Sequence, residues 1–295
     1  MSTIQLSRFT YFEPESVPEA IQTLAEYGSR AQILAGGIDL FPRMRSGSIV
    51  ADAIINISAV PGLEACCYEE GKGFSFGAMT RLIDLDRSRD LRKRYPAVQS
   101  AIHQITSVQS KYMGTAVGNL CLATPASDIA PALMAYDAVL TIAGAEGERS
   151  LPLCDFYLDY RKTALAEDEF VTRVFIPKPE PGTGAVFMNR VRTHADIAKI
   201  TVVAAVRLEK GLCSKARIAI GAAAPTVVRA REAEVILAGK EPTEALLAEA
   251  AEAVRESIAP ITDFRSTEEW RAEMARVLTK RALEKAFEAA KEVTK

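Results

Sequence analysis

The segment Ile33-Leu34-Ala35-Gly36-Gly37-Ile38-Asp39-Leu40 constrains the fold more than any other stretch of the chain. Ala31 to Leu34 is a compact apolar run of strand length, and it passes straight into paired glycines. From Asp39 to Arg45 the pattern predicts one or two helical turns, and Ala53 to Ile57 predicts another strand. Glycines let successive main-chain N–H groups face one way without a Cβ in the path, which makes an anion cradle at a helix start. A plain tight turn carries the same pattern, so the segment alone leaves both readings open.

Around it the chain alternates strand and helix. Phe9 and Tyr11 fall in a short extended piece; Glu15 to Glu19 opens a helix with Ala20, Ile21, Leu24 and Ala25 at helical spacing, stopped by Gly28. Gly62 to Leu85 predicts strands joined at Gly71 and Gly73, Pro96 to Thr106 a helix, Asp128 to Tyr136 another, and Ala138 to Ala143 a strand. Pro, Gly and Lys then crowd between Pro177 and Gly184, marking a domain boundary. Beyond it come strands at 185–192, 200–208 and 216–221, then helices at 228–237, 243–257 and 267–292. The last carries Trp270, Met274, Val277 and Leu278 on one face. A length of 295 residues and this alternation predict two α/β or α+β domains, with a change of character near residue 180.

Composition removes several functions. A net charge of -2 supplies no field for nucleic acid or an anionic membrane. No apolar run approaches the ~18–20 residues of a membrane span, and the first residues lack a secretory pattern. The cysteines, Cys66, Cys67, Cys121, Cys154 and Cys213, are odd in number with no C-x-x-C, which fits reduced thiols of a cytoplasmic protein. With His103 and His194 the only histidines, the chain has no metal or cluster motif, and a self-contained zinc or iron–sulfur centre is not expected. His103 itself reads as a packed or half-exposed helix residue rather than a catalyst. The chemistry must come from an organic cofactor, from carboxylates and hydroxyls, or from a partner.

A second gathering of small and polar residues, Gly114-Thr115-Ala116-Val117-Gly118-Asn119, leads into Thr124-Pro125-Ala126-Ser127-Asp128. It is expected in a loop, either as a second phosphate cradle or as a polar turn capped by Asp128. Two such cradles suit a diphosphate. The chain has no G-x-G-x-x-G, P-loop, H-E-x-x-H or G-x-S-x-G.

These residues resemble a known family. Ala35-Gly36-Gly37-Ile38-Asp39-Leu40 is similar to the A-G-G-T-D-L loop of the FAD-binding medium subunits of molybdenum hydroxylases, the xanthine dehydrogenase family. Thr115 to Asn119 resembles their T-x-G-G-N, and Thr124 to Asp128 the S-P-x-x-D after it. Tyr160-Arg161-Lys162-Thr163 resembles G-Y-R-K-T, and Asp196-Ile197-Ala198-Lys199 (after Ala195) resembles D-I-A-K. Asp263 to Ser266 and Leu278 to Leu283 match the family's D-x-R-x-S and L-x-x-R-A-L. The likeness runs in order over essentially the whole chain.

The resemblance implies an α+β chain: a vanillyl-alcohol-oxidase-type (PCMH) FAD-binding fold in two subdomains, 1–60 and 61–180, then a small C-terminal α/β domain, 184–295. It implies an electron-transfer oxidoreductase subunit with non-covalent FAD. Electrons come from [2Fe-2S] clusters of a small subunit, fed by a large molybdopterin subunit, and leave to NAD, a quinone or a carrier protein. The expected assembly is a hetero-oligomer such as a dimer of heterotrimers. Ile33, Leu34, Ala35, Gly36, Gly37, Ile38, Asp39 and Leu40, with Thr115, Ala116, Val117, Gly118 and Asn119, would hold the diphosphate. Asp128 would meet ribityl or ribose hydroxyls, Val171 and Phe187 would lie near the isoalloxazine ring, and Lys199 would contact the flavin end. Three positions depart from the pattern: Ile38 replaces a threonine, Val117 the first glycine of G-G-N, and Ile105 an aromatic. The competing readings are a free-standing flavin oxidase of the same fold and a cofactor-free scaffold.

Overall fold

The computed structural model describes residues 6–105, 107–193 and 196–294. The expectations that touch Thr106, His194 and Ala195 therefore lie outside the described residues.

The chain opens with β1 (Thr10–Phe12), α1 (Val17–Tyr27), β2 (Ala31–Leu34), α2 (Leu40–Arg45) and β3 (Ala53–Asn56). Ser16 caps α1 by accepting the Glu19 N–H, Pro18 sits in its first turn, and Gly28, at φ 54°, ends it. The three strands form a parallel sheet in the order β1-β3-β2. One face carries Ala31, Ala53 and Ile55 into the main core; Leu34 and Ile54 pack into a smaller one with Met44 and Ala51.

β4 (Cys66–Glu69) and β5 (Gly73–Gly77) come next, followed by six helices: α3 (Leu82–Arg87), α4 (Arg89–Arg94), α5 (Pro96–Gln104), α6 (Val108–Met113), α7 (Ala116–Cys121) and α8 (Ile129–Ala135). The strands resume as β6 (Val139–Gly144), β7 (Gly147–Pro152), the small pair β8 (Tyr157–Asp159) and β9 (Lys162–Thr163), and β10 (Phe170–Pro177). An antiparallel sheet forms in the order β4-β5-β10-β6-β7. Two expectations are corrected here. Gly62 to Leu85 is not strand throughout, because Leu82 begins a helix whose Leu82, Ile83 and Leu85 are buried. Gly114 to Asn119 is not a loop: Ser107 caps α6 through the Ser110 N–H and Thr115 caps α7 through the Gly118 N–H.

β11 (Thr183–Arg190), β12 (Ile200–Glu209), β13 (Leu212–Gly221) and β14 (Val228–Arg229) make a third, antiparallel sheet. It carries α9 (Arg231–Leu237), α10 (Glu244–Ala253) and α11 (Glu268–Thr294), which bury a second core. The buried stripe of α11 runs through Ala275, Leu278, Ala282, Leu283, Ala286 and Ala290, so Trp270 and Met274 pack at its margin. β11 lies close on this helix: a Cβ at Gly184 would stand 2.1 Å from the Ala286 carbonyl. The other face of the sheet meets the first part of the chain, with α8 against β12 and β13 and α5 against β11.

Candidate functional site

β2 delivers Ala35 to Leu40 to the rim of a cleft of about 440 Å³. Gly37 has φ 69°, a left-handed conformation that costs a residue with a Cβ. At Gly36 the constraint is contact. A Cβ there would lie 2.0 Å from the Met113 carbonyl oxygen and 2.9 Å from the Gly114 Cα, so the main chains themselves touch. Ladder bonding in α2 starts with Phe41 N–H to Gly37 O, which leaves the preceding N–H groups of the turn outside the helix.

The facing wall is the end of α6 and the start of α7. The Gly114 carbonyl accepts from the Leu82 N–H at 2.9 Å, and Arg81 bridges to Thr115, which fixes this wall on α3. The Thr115 hydroxyl is engaged as a cap but still has its own proton to donate. Asn119 accepts from the Ser127 hydroxyl at 2.5 Å, and Ser127 in turn accepts the Ala130 N–H, so the amide oxygen of Asn119 is committed and its NH₂ remains. Leu165, Phe170 and Val171 close the third side.

Of the residues anticipated from sequence, Ile33, Ala35, Gly36, Gly37, Ile38, Asp39, Leu40, Thr115, Val117, Gly118, Asn119 and Val171 line this one cleft. Leu34 and Ala116 do not, their side chains being packed into cores. Ile38 is 48% exposed and leans over Gly114, whereas Val117 is buried against the core. Ile105 ends α5 beside the main core. Asp128, Phe187 and Lys199 do not line this cleft, and each has a different neighbour around the third sheet. Asp128 accepts from the Thr201 hydroxyl of β12 at 3.3 Å, and burial pushes its carboxyl up to about 6. Lys199 holds its ammonium 5.4 Å from the Trp270 ring centroid. Phe187, on β11, packs at the edge of the main core.

Sequence reading missed Gln32, Arg43, Leu82, Cys121, Leu165, Glu169 and Phe170, all of them on the cleft wall. Glu169 is bound bidentately by Arg149 at 2.6 and 2.7 Å, which holds its carboxyl below the usual range. Burial raises the Cys121 thiol to about 12, so it stays a neutral wall group. His103 is exposed and meets Asp86 at 3.1 Å, away from the cleft lining. Among the described residues no group of three or more His, Cys, Asp or Glu could hold a metal ion, and no helix is long and apolar enough to cross a membrane.

Comparison with known proteins gives two matches along the chain. Residues 7–179 match the FAD binding domain in molybdopterin dehydrogenase, and residues 185–286 match the CO dehydrogenase flavoprotein C-terminal domain. The chain is 31% identical over 284 residues to the 6-hydroxypseudooxynicotine dehydrogenase complex subunit alpha of Paenarthrobacter nicotinovorans, covering 96% of each. It is 31% identical over 280 residues to the carbon monoxide dehydrogenase medium chain of Hydrogenophaga pseudoflava, covering 95% of this chain and 97% of that one. A solved structure of carbon monoxide dehydrogenase from Hydrogenophaga pseudoflava superposes with a TM-score of 0.93 at 32% identity, over 97% of this chain and 99% of that one. The chain belongs to the family of FAD-binding subunits of molybdopterin dehydrogenases.

Proposed function

We propose that this chain is the FAD-binding electron-transfer subunit of a molybdopterin-dependent hydroxylase or dehydrogenase. In that reading it stands between a small [2Fe-2S] subunit and an external acceptor, in a cytoplasmic hetero-oligomer that also holds a large molybdopterin subunit. The observation that carries the reading is the main-chain contact of Gly36 with Met113 and Gly114, which brings the two small-residue segments onto one cleft. The cleft suits a diphosphate, since the glycine turn, Thr115 with a proton still to donate and Asn119 with its NH₂ uncommitted line the same space. When bound, FAD exchanges electrons between one-electron clusters and the acceptor.

The chain's own residues bind, orient and exclude water. The turn from Ala35 to Leu40 and the start of α7 grip the diphosphate from two sides. Val171 and Phe170 offer an apolar wall to a ring, while Asp128, Phe187 and Lys199 serve the remainder of the cofactor from around the third sheet. A cation such as Lys199 near an anionic ring edge favours the reduced form. Residues 1–60 and 61–180 act as the two cradling subdomains, with 184–295 as the third body.

The test is to purify the chain alone and together with the products of neighbouring genes, and to record flavin content and bleaching. Expected is non-covalent FAD in both, with bleaching by substrate only in the complex. A colourless chain that takes up no FAD defeats the reading, and substrate-driven bleaching of the isolated chain assigns a free-standing oxidase instead.

A further inference from the structure

Among the described residues lining the cleft, Arg43 is the one cation; the other charged groups there are Asp39 and Glu169, and Glu169 is already neutralised by Arg149. Its base is rigid. The Arg43 carbonyl accepts from the Ser46 hydroxyl at 3.0 Å, the Ser48 N–H at 2.9 Å and the Ile49 N–H at 3.3 Å, which locks the end of α2. The tip is the opposite. Its Nε is buried and finds no partner among the described residues. The nearest carboxylate, Asp39, stands 3.5 Å from Nη1, too long for the ~2.7–2.9 Å of a good charge-assisted bond.

We infer that Arg43 is a binding residue for the diphosphate of FAD, on the reading that this cleft holds FAD. On this fixed stretch of main chain, a buried N–H without an acceptor is costly until one arrives. A diphosphate brings several anionic oxygens to a planar fork of donors, a match that a single carboxylate at 3.5 Å does not make. The loop itself makes the need concrete: position 38 is isoleucine, with no hydroxyl to offer a phosphate oxygen, and its side chain is turned over Gly114. Arg43, five residues on, supplies charge from α2 where the loop lacks a hydroxyl.

The assignment is tested on the full chain stripped of flavin, by titrating FAD with flavin fluorescence and measuring ADP and riboflavin as competitors. R43Q is expected to weaken FAD and ADP by about ten- to hundredfold, with riboflavin unchanged within about twofold. Added salt should weaken FAD binding to the wild type more than to R43Q. R43K, which keeps the charge and loses the fork, should fall between them and retain the salt dependence. If R43Q does not fold, R43K decides alone: a loss of several-fold for ADP but not for riboflavin supports the assignment, and unchanged ADP affinity overturns it. Equal loss for ADP and riboflavin in R43Q, or FAD affinity within about twofold of wild type, overturns the role of Arg43 while leaving the cleft assignment in place. A wild-type chain that binds no FAD overturns both.

Discussion

The cleft and the junction are built by opposite means. At the cleft, two stretches of main chain approach until there is no room for a methyl group, and the contact depends on the absence of a side chain at Gly36. At the junction between α8 and the third sheet, long charged side chains are added to the apolar contact of Val203, Ala205 and Ala219 with the main core. Asp137, just past α8, accepts from Arg217 at 2.8 and 3.0 Å, from Arg229 at 3.1 Å and from Lys215 at 2.9 Å. Arg229 also grips Glu234 at 2.6 and 2.7 Å, and Glu234 caps the Ile218 N–H. Backbone contact is all-or-none, since neither partner can give way, whereas an ion network loses strength one bond at a time. The narrow site is thereby set by rigid parts, and the third body is fastened by adaptable ones.

The hardest way to break the junction is to remove its buried cation. Arg229→Met leaves Glu234, with its side chain 9% exposed, without its bidentate partner and should destabilise the chain by about 4 kcal/mol in urea unfolding. A loss below about 1 kcal/mol would show that the network is dispensable. At the cleft, Gly36→Ala should cost about 3 kcal/mol, at the upper end of overpacking, because the obstacle at 2.0 Å is a carbonyl rather than a flexible side chain. It should also abolish FAD retention, whereas Arg229→Met should leave residual FAD binding in whatever chain remains folded.

Asp128 at the junction has a pH dependence opposite in sign to that of Glu169 on the cleft wall, whose carboxyl is held low by Arg149. Asp128 has its carboxyl raised to about 6, so the folded chain holds that proton more tightly than the unfolded one. Its contribution to stability is present below about pH 4 and is lost as pH rises toward 6. Asp128→Asn should match the wild type near pH 4 and exceed it above pH 6 by on the order of 2 kcal/mol in the flavin-free chain. A constant difference across that range would show that burial does not govern this carboxyl. The smallest effect sharpens the cleft wall: Thr115→Ala removes the cap of α7 and should cost about 1 kcal/mol, with FAD affinity falling in parallel. Unchanged FAD affinity would separate the cap from the cradle.

The same contrast explains what could be read from sequence. β2 and its glycine turn are legible because apolar run, paired glycines and helix start are contiguous between Ala31 and Arg45. The long α11 is legible from its period, although its buried stripe is centred on alanines rather than on Trp270 and Met274. α6 and α7 were hidden, since helices of six residues draw their stability from caps and tertiary packing and show little periodicity. The caps Ser107 and Thr115 were visible as residues; what they capped was not. Leu165 and Glu169 reach the cleft from a stretch with no local pattern, just before β10, whereas Arg43 lies in the legible α2 but its place on the cleft wall comes only from tertiary folding. An arginine whose buried Nε lacks an acceptor has no signature in sequence, because that lack is a property of its surroundings.

The central claim is that the contact between the Gly36 turn and the Met113–Gly114 wall makes the FAD cradle. The most direct measurement is flavin titration of the stripped full-length chain against its Gly36→Ala variant, with far-UV circular dichroism on both. The account predicts about one FAD bound per wild-type chain and no saturable binding by a folded Gly36→Ala. A folded Gly36→Ala that binds FAD as the wild type does would contradict it.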